Sequence, residues 1–212
     1  DAVPAVEHLT ETATAVEAAA LSNNGITNSE GGSASHGEAH MMIATSNGFS
    51  ANYKRSSQGF SAVVIAEKDG AMERDYDYSA AVYGADLDAP EDVGNSAAKR
   101  TLSRLGPQKP PTGQFPVIYD QRVSGSIVGT LASAINGAAI ARGTSFLKDS
   151  MGEQVTSAGL TFIDDPLRPR GMASRLFDGE GLPVARRAMV EDGVLKSWFL
   201  DIASATKLGL TP

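Results

Sequence analysis

"HMMIATSNGFSANYKRSSQGFSAVVIAEKDGAMERDYDYSAAVYG", from His40 to Gly84, is the stretch that decides the fold. Short runs of aromatic, β-branched and methionine residues are punctuated by Asn47-Gly48, Gln58-Gly59 and Asp69-Gly70. Asn-Gly and Asp-Gly pairs reach the positive φ that tight hairpin turns require, so the stretch predicts an antiparallel meander of about four strands.

Helical patterns flank it. Upstream, Val3, Val6, Leu9, Ala13, Val16 and Ala20 recur at three- and four-residue steps, and Asn23-Asn24-Gly25 ends the pattern with a C-terminal stop signal. Downstream, "DAPEDVGNSAAKRTLSRL" from Asp88 to Leu105 offers Asp88 as an N-cap, Pro90 in the first turn, early acids and late bases. "GPQKPPTGQFP" then packs four prolines and two glycines into eleven residues, a stiff linker or domain boundary. Beyond it, "VIYD" reads as a short buried strand and Gly125 to Ile140 as a helix rich in small residues. "TFIDDP" and "GLPVARRAMVEDGVLKSWFLD" read as strands turning at Glu191-Asp192-Gly193, and "IASATKLGL" as a closing short helix. Strands and helices are segregated rather than alternating, so the expected class is α+β: an antiparallel meander with flanking helices over 1–110, then the start of a second, mixed domain over 113–212.

At 212 residues, 42% hydrophobic and 20% charged, the chain has the composition of a folded protein with a real core. A net charge of −7 argues against phosphate-backbone binding, which needs a clustered basic surface. Without cysteine there is no disulfide frame, thiolate zinc site or thiol nucleophile, and the cytoplasm is the expected compartment. No apolar run has the length of a membrane span. The chain opens with Asp in what reads as a helix, without signal-peptide character, and is read as a piece of a longer protein.

Several constellations have two readings each. "GSIVGT" at Gly125 to Thr130 lacks the lysine of a phosphate loop. His36, Glu38 and His40 alternate along a strand and share one face, either as a zinc site or as a solvated surface. Glu73, Asp75 and Asp77 share another face, with Arg74, Tyr76 and Tyr78 opposite them; paired carboxylates can divide acid and base roles, or simply line an exposed sheet. "DGEG" at Asp178 to Gly181 is a sharp acidic turn, either a cleft rim or a surface turn. The three histidines all precede residue 41, and none lies in a nucleophile-elbow context.

Six segments spread along the chain carry a resemblance: "ITNSEGG" (26–32), "VIAEKDGAMERDYDY" (64–78), "RTLSRLGPQK" (100–109), "TSFLKDSMG" (144–152), "FDGEGLPVARR" (177–187) and "DGVLKSWFLDIASATKLGL" (192–210). Together they resemble the PmbA/TldE branch of the TldD/PmbA proteins, also called modulators of DNA gyrase, over essentially the whole chain. The resemblance implies a central fragment of a subunit that pairs with a TldD-like partner to cleave peptides, in maturation of peptide antibiotics and in degradation of an unfolded antitoxin. In that family the TldD subunit holds zinc on an H-E-x-x-x-H helix, with a cysteine ligand further along, and the metal activates a water.

Anchored on "RGTS" at Arg142 to Ser145, the three helix positions of that motif fall on Val128, Gly129 and Ser133. No histidine or acid occurs between Arg122 and Lys148, so a register slip of one or two residues restores nothing. A lone hydroxyl is a poor zinc ligand beside imidazole or thiolate. The resemblance therefore implies a metal-free subunit with no cofactor of its own, zinc residing in the TldD-like partner and a homodimer forming when that partner is absent. Gly125, Gly129, Ala132, Ser133 and Gly137 are expected to let a neighbouring backbone approach the helix. Arg142, Ser145, Asp178 and Glu180 are the expected cleft or partner contacts. Two alternatives stand beside this reading: a stand-alone hydrolase using the His36/Glu38/His40 face, and a gyrase- or DNA-associated module, which the acidic charge disfavours.

Overall fold

The computed structural model describes residues 2–212, in two compact units. The first runs to Pro111 and includes the distant segment Pro169–Ala173; the second comprises Thr112–Arg168 and Ser174–Pro212.

The first unit is a three-stranded antiparallel sheet in the order β1-β2-β3, covered on one face by two helices. β1 spans Ile26–Ala44, β2 Ser50–Lys68 and β3 Ala71–Ala81. Asn47-Gly48 and Asp69-Gly70 make the turns as expected, with φ of 91° at Gly48 and of 53° and 78° at Asp69 and Gly70. The expected break at Gln58-Gly59 is absent, which reduces about four strands to three long ones. Gly59 sits inside β2, paired with Ser35 and Ala80, and a Cβ there would lie 3.0 Å from the Ser79 carbonyl. That glycine serves close approach between strands, not a turn.

Alternation along β2 buries Phe60, Ala62, Val64 and Ala66 against α1 (Val6–Leu21) and α2 (Pro90–Ser103). β3 pairs with β2 only from Gln58 to Lys68. The remainder of the β1–β2 pair, out to Ala44 and Ser50, continues as a two-stranded ribbon.

Two glycines bring the helices in. A Cβ on Gly32 would lie 2.1 Å from the Ala13 carbonyl oxygen of α1; one on Gly94 of α2 would lie 2.4 Å from the Val16 carbonyl oxygen and 2.8 Å from the Ala19 Cβ. Backbone therefore meets backbone where each helix crosses its neighbour. At the end of α1 the Asn23 amide donates to the Ala19 carbonyl at 2.8 Å and to the Asn95 side chain of α2 at 2.9 Å. The N-cap of α2 is Ala89 rather than Asp88. Asp88 is taken by Ser79, whose hydroxyl donates to its carboxylate at 2.8 Å and accepts from its backbone N–H at 2.9 Å, so a tertiary pair displaces the local cap.

The second unit assembles smaller pieces around Ala134, Ile135, Leu147, Met189, Val190 and Leu195. Its elements are α3 (Gln121–Ala134), α4 (Gly137–Ala141), a small antiparallel sheet of β4 (Phe162–Asp164), β5 (Arg187–Glu191) and β6 (Val194–Leu195), and α5 (Ile202–Leu208). The expected Gly125–Ile140 helix is two helices, because the Asn136 side chain accepts from the N–H groups of Ala138 and Ala139 and starts a new one. "VIYD" forms no strand: Val117 and Ile118 are exposed and Asp120 caps α3 through the Arg122 N–H. The turn at Asp192-Gly193 and the closing helix are present, the latter with an Asp201/Ser204 capping box and Gly209 in the left-handed region. Hydrogen bonding from Ser204 holds the Asp201 carboxyl below its usual range.

The glycines supply a contrast in stability. Gly94→Ala is expected to destabilise by about 1–3 kcal/mol, because overpacking outweighs alanine's helix advantage. Gly129→Ala, whose added methyl meets nothing within 4 Å, is expected to stabilise by up to ~1 kcal/mol. Urea denaturation of the two variants beside the parent measures both signs.

Candidate functional site

The α3 helix carries the positions where the family resemblance would place a metal. Val128 is 47% exposed, Ser133 is exposed, and Gly129 opens to empty space. The local geometry is an intact helix, with the Asp120 cap at its start and the Leu131 carbonyl accepting from the Ile135 N–H at its end. What it presents is two alkyl or hydrogen substituents and one hydroxyl, a donor set that does not fit zinc. The expected close packing at Gly125 and Gly129 is absent, since no atom lies within 4 Å of a Cβ at either. Gly137 does pack closely, with a Cβ there lying 2.6 Å from the Phe199 carbonyl oxygen, but it belongs to α4 beyond the Asn136 break.

The four expected contact residues divide by their surroundings. Ser145 is buried, its hydroxyl donating to the Ala134 carbonyl at 2.5 Å and accepting from the Leu147 N–H at 3.0 Å. It ties the end of α3 to the loop after α4. Arg142 is exposed and closes α4 through its backbone N–H. Asp178 folds its own turn: Oδ1 accepts from the N–H groups of Glu180 at 2.9 Å and Leu182 at 2.8 Å. Glu180 reaches the first turn of α5, its Oε2 accepting from the Ile202 N–H at 2.8 Å. Asp178 and Glu180 thus hold the loop against α5. Between buried Ser145 and Leu147, Phe146 stands 77% exposed, which residue type alone does not signal.

In the first unit, His36, Glu38 and His40 do alternate along β1 as expected. Glu38 is engaged by Lys54 across the ribbon at 2.7 Å, and among the described residues no three His, Asp or Glu side chains converge as a metal site. The Lys54 hydrogen bond, with the Lys54 charge behind it, holds the Glu38 carboxyl below its usual range against a smaller opposing effect of desolvation.

The acidic row of β3 also differs from an exposed sheet face. Glu73, Asp75 and Asp77 point toward α2, where Arg104 reaches Glu73 at 3.5 Å and Asp75 at 3.4 Å, and Arg100 reaches Asp77 at 3.2 Å. Ser96 also donates to Asp77. The late bases of α2, legible in sequence as complements of the helix dipole, are in fact the counterions of this row. Sequence reading also missed Arg170, which lies 4.3 Å from the centroid of the Tyr83 ring and pairs with Asp86 at 2.7 Å. Its only signal in the sequence is the second arginine of "RPRG".

Two expectations follow. Ser145→Ala removes a buried donor and acceptor at once and should cost about 1–3 kcal/mol in urea denaturation. For Glu38, a lowered carboxyl pKa means that its contribution is present above the ordinary carboxylate range and lost as pH falls through the lowered value. In a carboxyl NMR titration, Lys54→Met should move the Glu38 midpoint upward.

Comparison with known proteins places these features in a family. Residues 2–105 match the PmbA/TldA metallopeptidase central domain and residues 112–212 the PmbA/TldA metallopeptidase C-terminal domain. Metalloprotease PmbA of Escherichia coli O157:H7 is 41% identical over 198 residues, covering 93% of this chain and 44% of that protein. A metalloprotease PmbA homolog of Haemophilus influenzae is 35% identical over 97% of this chain and 46% of its own length. The crystal structure of a Bacteroides thetaiotaomicron protein named as a modulator of DNA gyrase superposes with a TM-score of 0.92 at 30% identity, over 99% of this chain and 48% of that one. TldE of Thermococcus kodakarensis shares the fold, with a TM-score of 0.79 at 19% identity over 98% of this chain and 47% of its own. The chain spans about half the length of the curated relatives it matches. It belongs to the PmbA/TldD metallopeptidase family.

Proposed function

We propose that this chain is part of a metal-free, PmbA/TldE-type subunit that works with a zinc-bearing TldD-like partner in the cytoplasm, where the pair cleaves and matures peptides. One observation carries the reading: the helix positions that would hold the ion offer Val128, Gly129 and Ser133 on an otherwise intact and exposed helix. So poor a donor set on that helix supports a reading in which the partner supplies the metal chemistry. The name TldE, borne by a structure of the same fold, agrees with such a division of labour. No catalytic step is assigned to residues of this chain. Its part is to shape the cleft and to hold the partner, with Arg142 the exposed candidate among the four expected contacts. A hydrolase built on His36, Glu38 and His40 is disfavoured, because Lys54 already neutralises the carboxylate. Among the described residues no helix is long and apolar enough to cross a membrane.

The test is reconstitution. The full-length protein containing this chain, a zinc-bearing family member and their mixture are each assayed for peptide cleavage and bound zinc. Cleavage greatly enhanced in the mixture, with zinc following the partner alone, is the expected result; stoichiometric zinc and cleavage by this subunit alone would refute the proposal.

A further inference from the structure

Pro169–Ala173 belongs to the first unit, although the chain on either side of it belongs to the second. Two side-chain fastenings hold it. The Arg170 guanidinium lies over the Tyr83 ring, 4.3 Å from its centroid, and pairs with the Asp86 carboxylate at 2.7 Å; Arg55 of β2 donates to the Met172 carbonyl. Each half of this joint is built without the other. Tyr83 and Asp86 stand three residues apart around the 3₁₀ turn Gly84–Asp86, where the Asp86 N–H donates to the Tyr83 carbonyl at 3.0 Å, and such spacing brings ring and carboxylate to one side. Leu87 packs this seat against the core, and the Val82 carbonyl accepts from the Ser56 hydroxyl at 3.2 Å. The other half is a compact Ω-loop over Pro166–Arg175. Its neck is closed by the Arg175 N–H donating to the Pro166 carbonyl at 2.9 Å and by the Ser174 hydroxyl donating to the Arg168 carbonyl at 2.6 Å. None of these bonds crosses the joint, so seat and loop both outlast its opening.

We propose that Pro169–Ala173 is a strap with two positions, closed when Arg170 is seated between the Tyr83 ring and the Asp86 carboxylate and open when it is not, and that ionic strength sets the balance. The closed position is held by little. The Arg170 and Asp86 side chains are 55% and 38% exposed, so dissolved ions reach the pair and weaken it. A guanidinium stacked on a ring at an exposed site adds only a modest attraction. Against these stands the backbone of Arg170, whose φ of 56° lies in the left-handed region, a conformation that an arginine keeps only where its surroundings impose it. Opening lets that residue relax. It also withdraws Arg170 from the first unit while the sheet, its helices and the loop neck stay folded, which makes the transition local rather than global.

The closed seat covers the side chain that trypsin must engage to cut Arg170–Gly171, so cleavage of that bond reports the open population. The full-length protein containing this chain is treated with dilute trypsin and the fragments are identified by mass spectrometry, with a short arginine peptide in the same tube as the measure of protease activity. Relative to that peptide, cleavage at Arg170–Gly171 should quicken about 5-fold between about 0.05 M and about 0.5 M NaCl. Asp86→Asn keeps the shape of the side chain and removes its charge; it should give the fast rate already at low salt and flatten the salt dependence. Tyr83→Leu should also quicken cleavage but keep the salt dependence, because the ion pair remains. Hydrogen exchange of the β2 and β3 amides should be unchanged throughout. Cleavage indifferent to salt in the parent, an Asp86→Asn rate no faster than the parent's, or quickening matched by lost protection in β2 and β3 overturns the inference. The readouts involve neither zinc nor a TldD-like partner, so failure of the proposed function leaves them untouched.

Discussion

Backbone contact between helix and sheet is the constraint on which the first unit depends. At Gly32 and Gly94 nothing larger than hydrogen fits, because the carbonyls of Ala13 and Val16 occupy the space a Cβ would take. Those two contacts set the depth at which α1 and α2 lie. That depth closes a core of few large side chains: Val16, Phe60, Val64 and Val93 with Ala20, Ala62 and Ala97. Small residues are not a weakness there, since close approach replaces the dispersion that bulk would supply.

The same approach explains the polar side of the unit. With α2 held against the sheet, the carboxylates of β3 face its arginines. Asp75 is largely buried, and a charge so placed needs a partner within reach. Arg104 and Arg100 meet the row from one helix face, and Ser79 with Asp88 fastens the chain just before that helix begins. The row thus fixes the sheet to its helix while leaving the tyrosine side of the same strand exposed.

The second unit places its acids and hydroxyls in architecture. Ser145 ties the end of α3 to the loop after α4, and Asp178 and Glu180 shape a turn and bind it to α5. The helix aligned with the family's metal positions offers there only the Ser133 hydroxyl, and a Cβ at Gly125 or Gly129 would meet nothing within 4 Å. Along that stretch α3 is not a closely packed helix.

Local signals determined a good deal on their own. Two hairpin turns, the α1 and α5 patterns, the proline-rich junction and the α+β class are all legible, because each depends on the conformational preferences of a few adjacent residues. That Val128 and Gly129 offer no donor atom and Ser133 only a hydroxyl is equally legible, since folding cannot change the atoms a side chain carries. What residue order could not settle was whatever depends on a neighbour distant in the chain. Gly59 resembles a turn residue until β3 lies beside it; Asp88 resembles a cap until Ser79 claims it; the β3 acids look exposed until Arg100 and Arg104 arrive. Glycine, aspartate and serine each serve several local roles at similar free energy, and only tertiary contact, through sterics and the cost of an unpaired buried charge, selects among them.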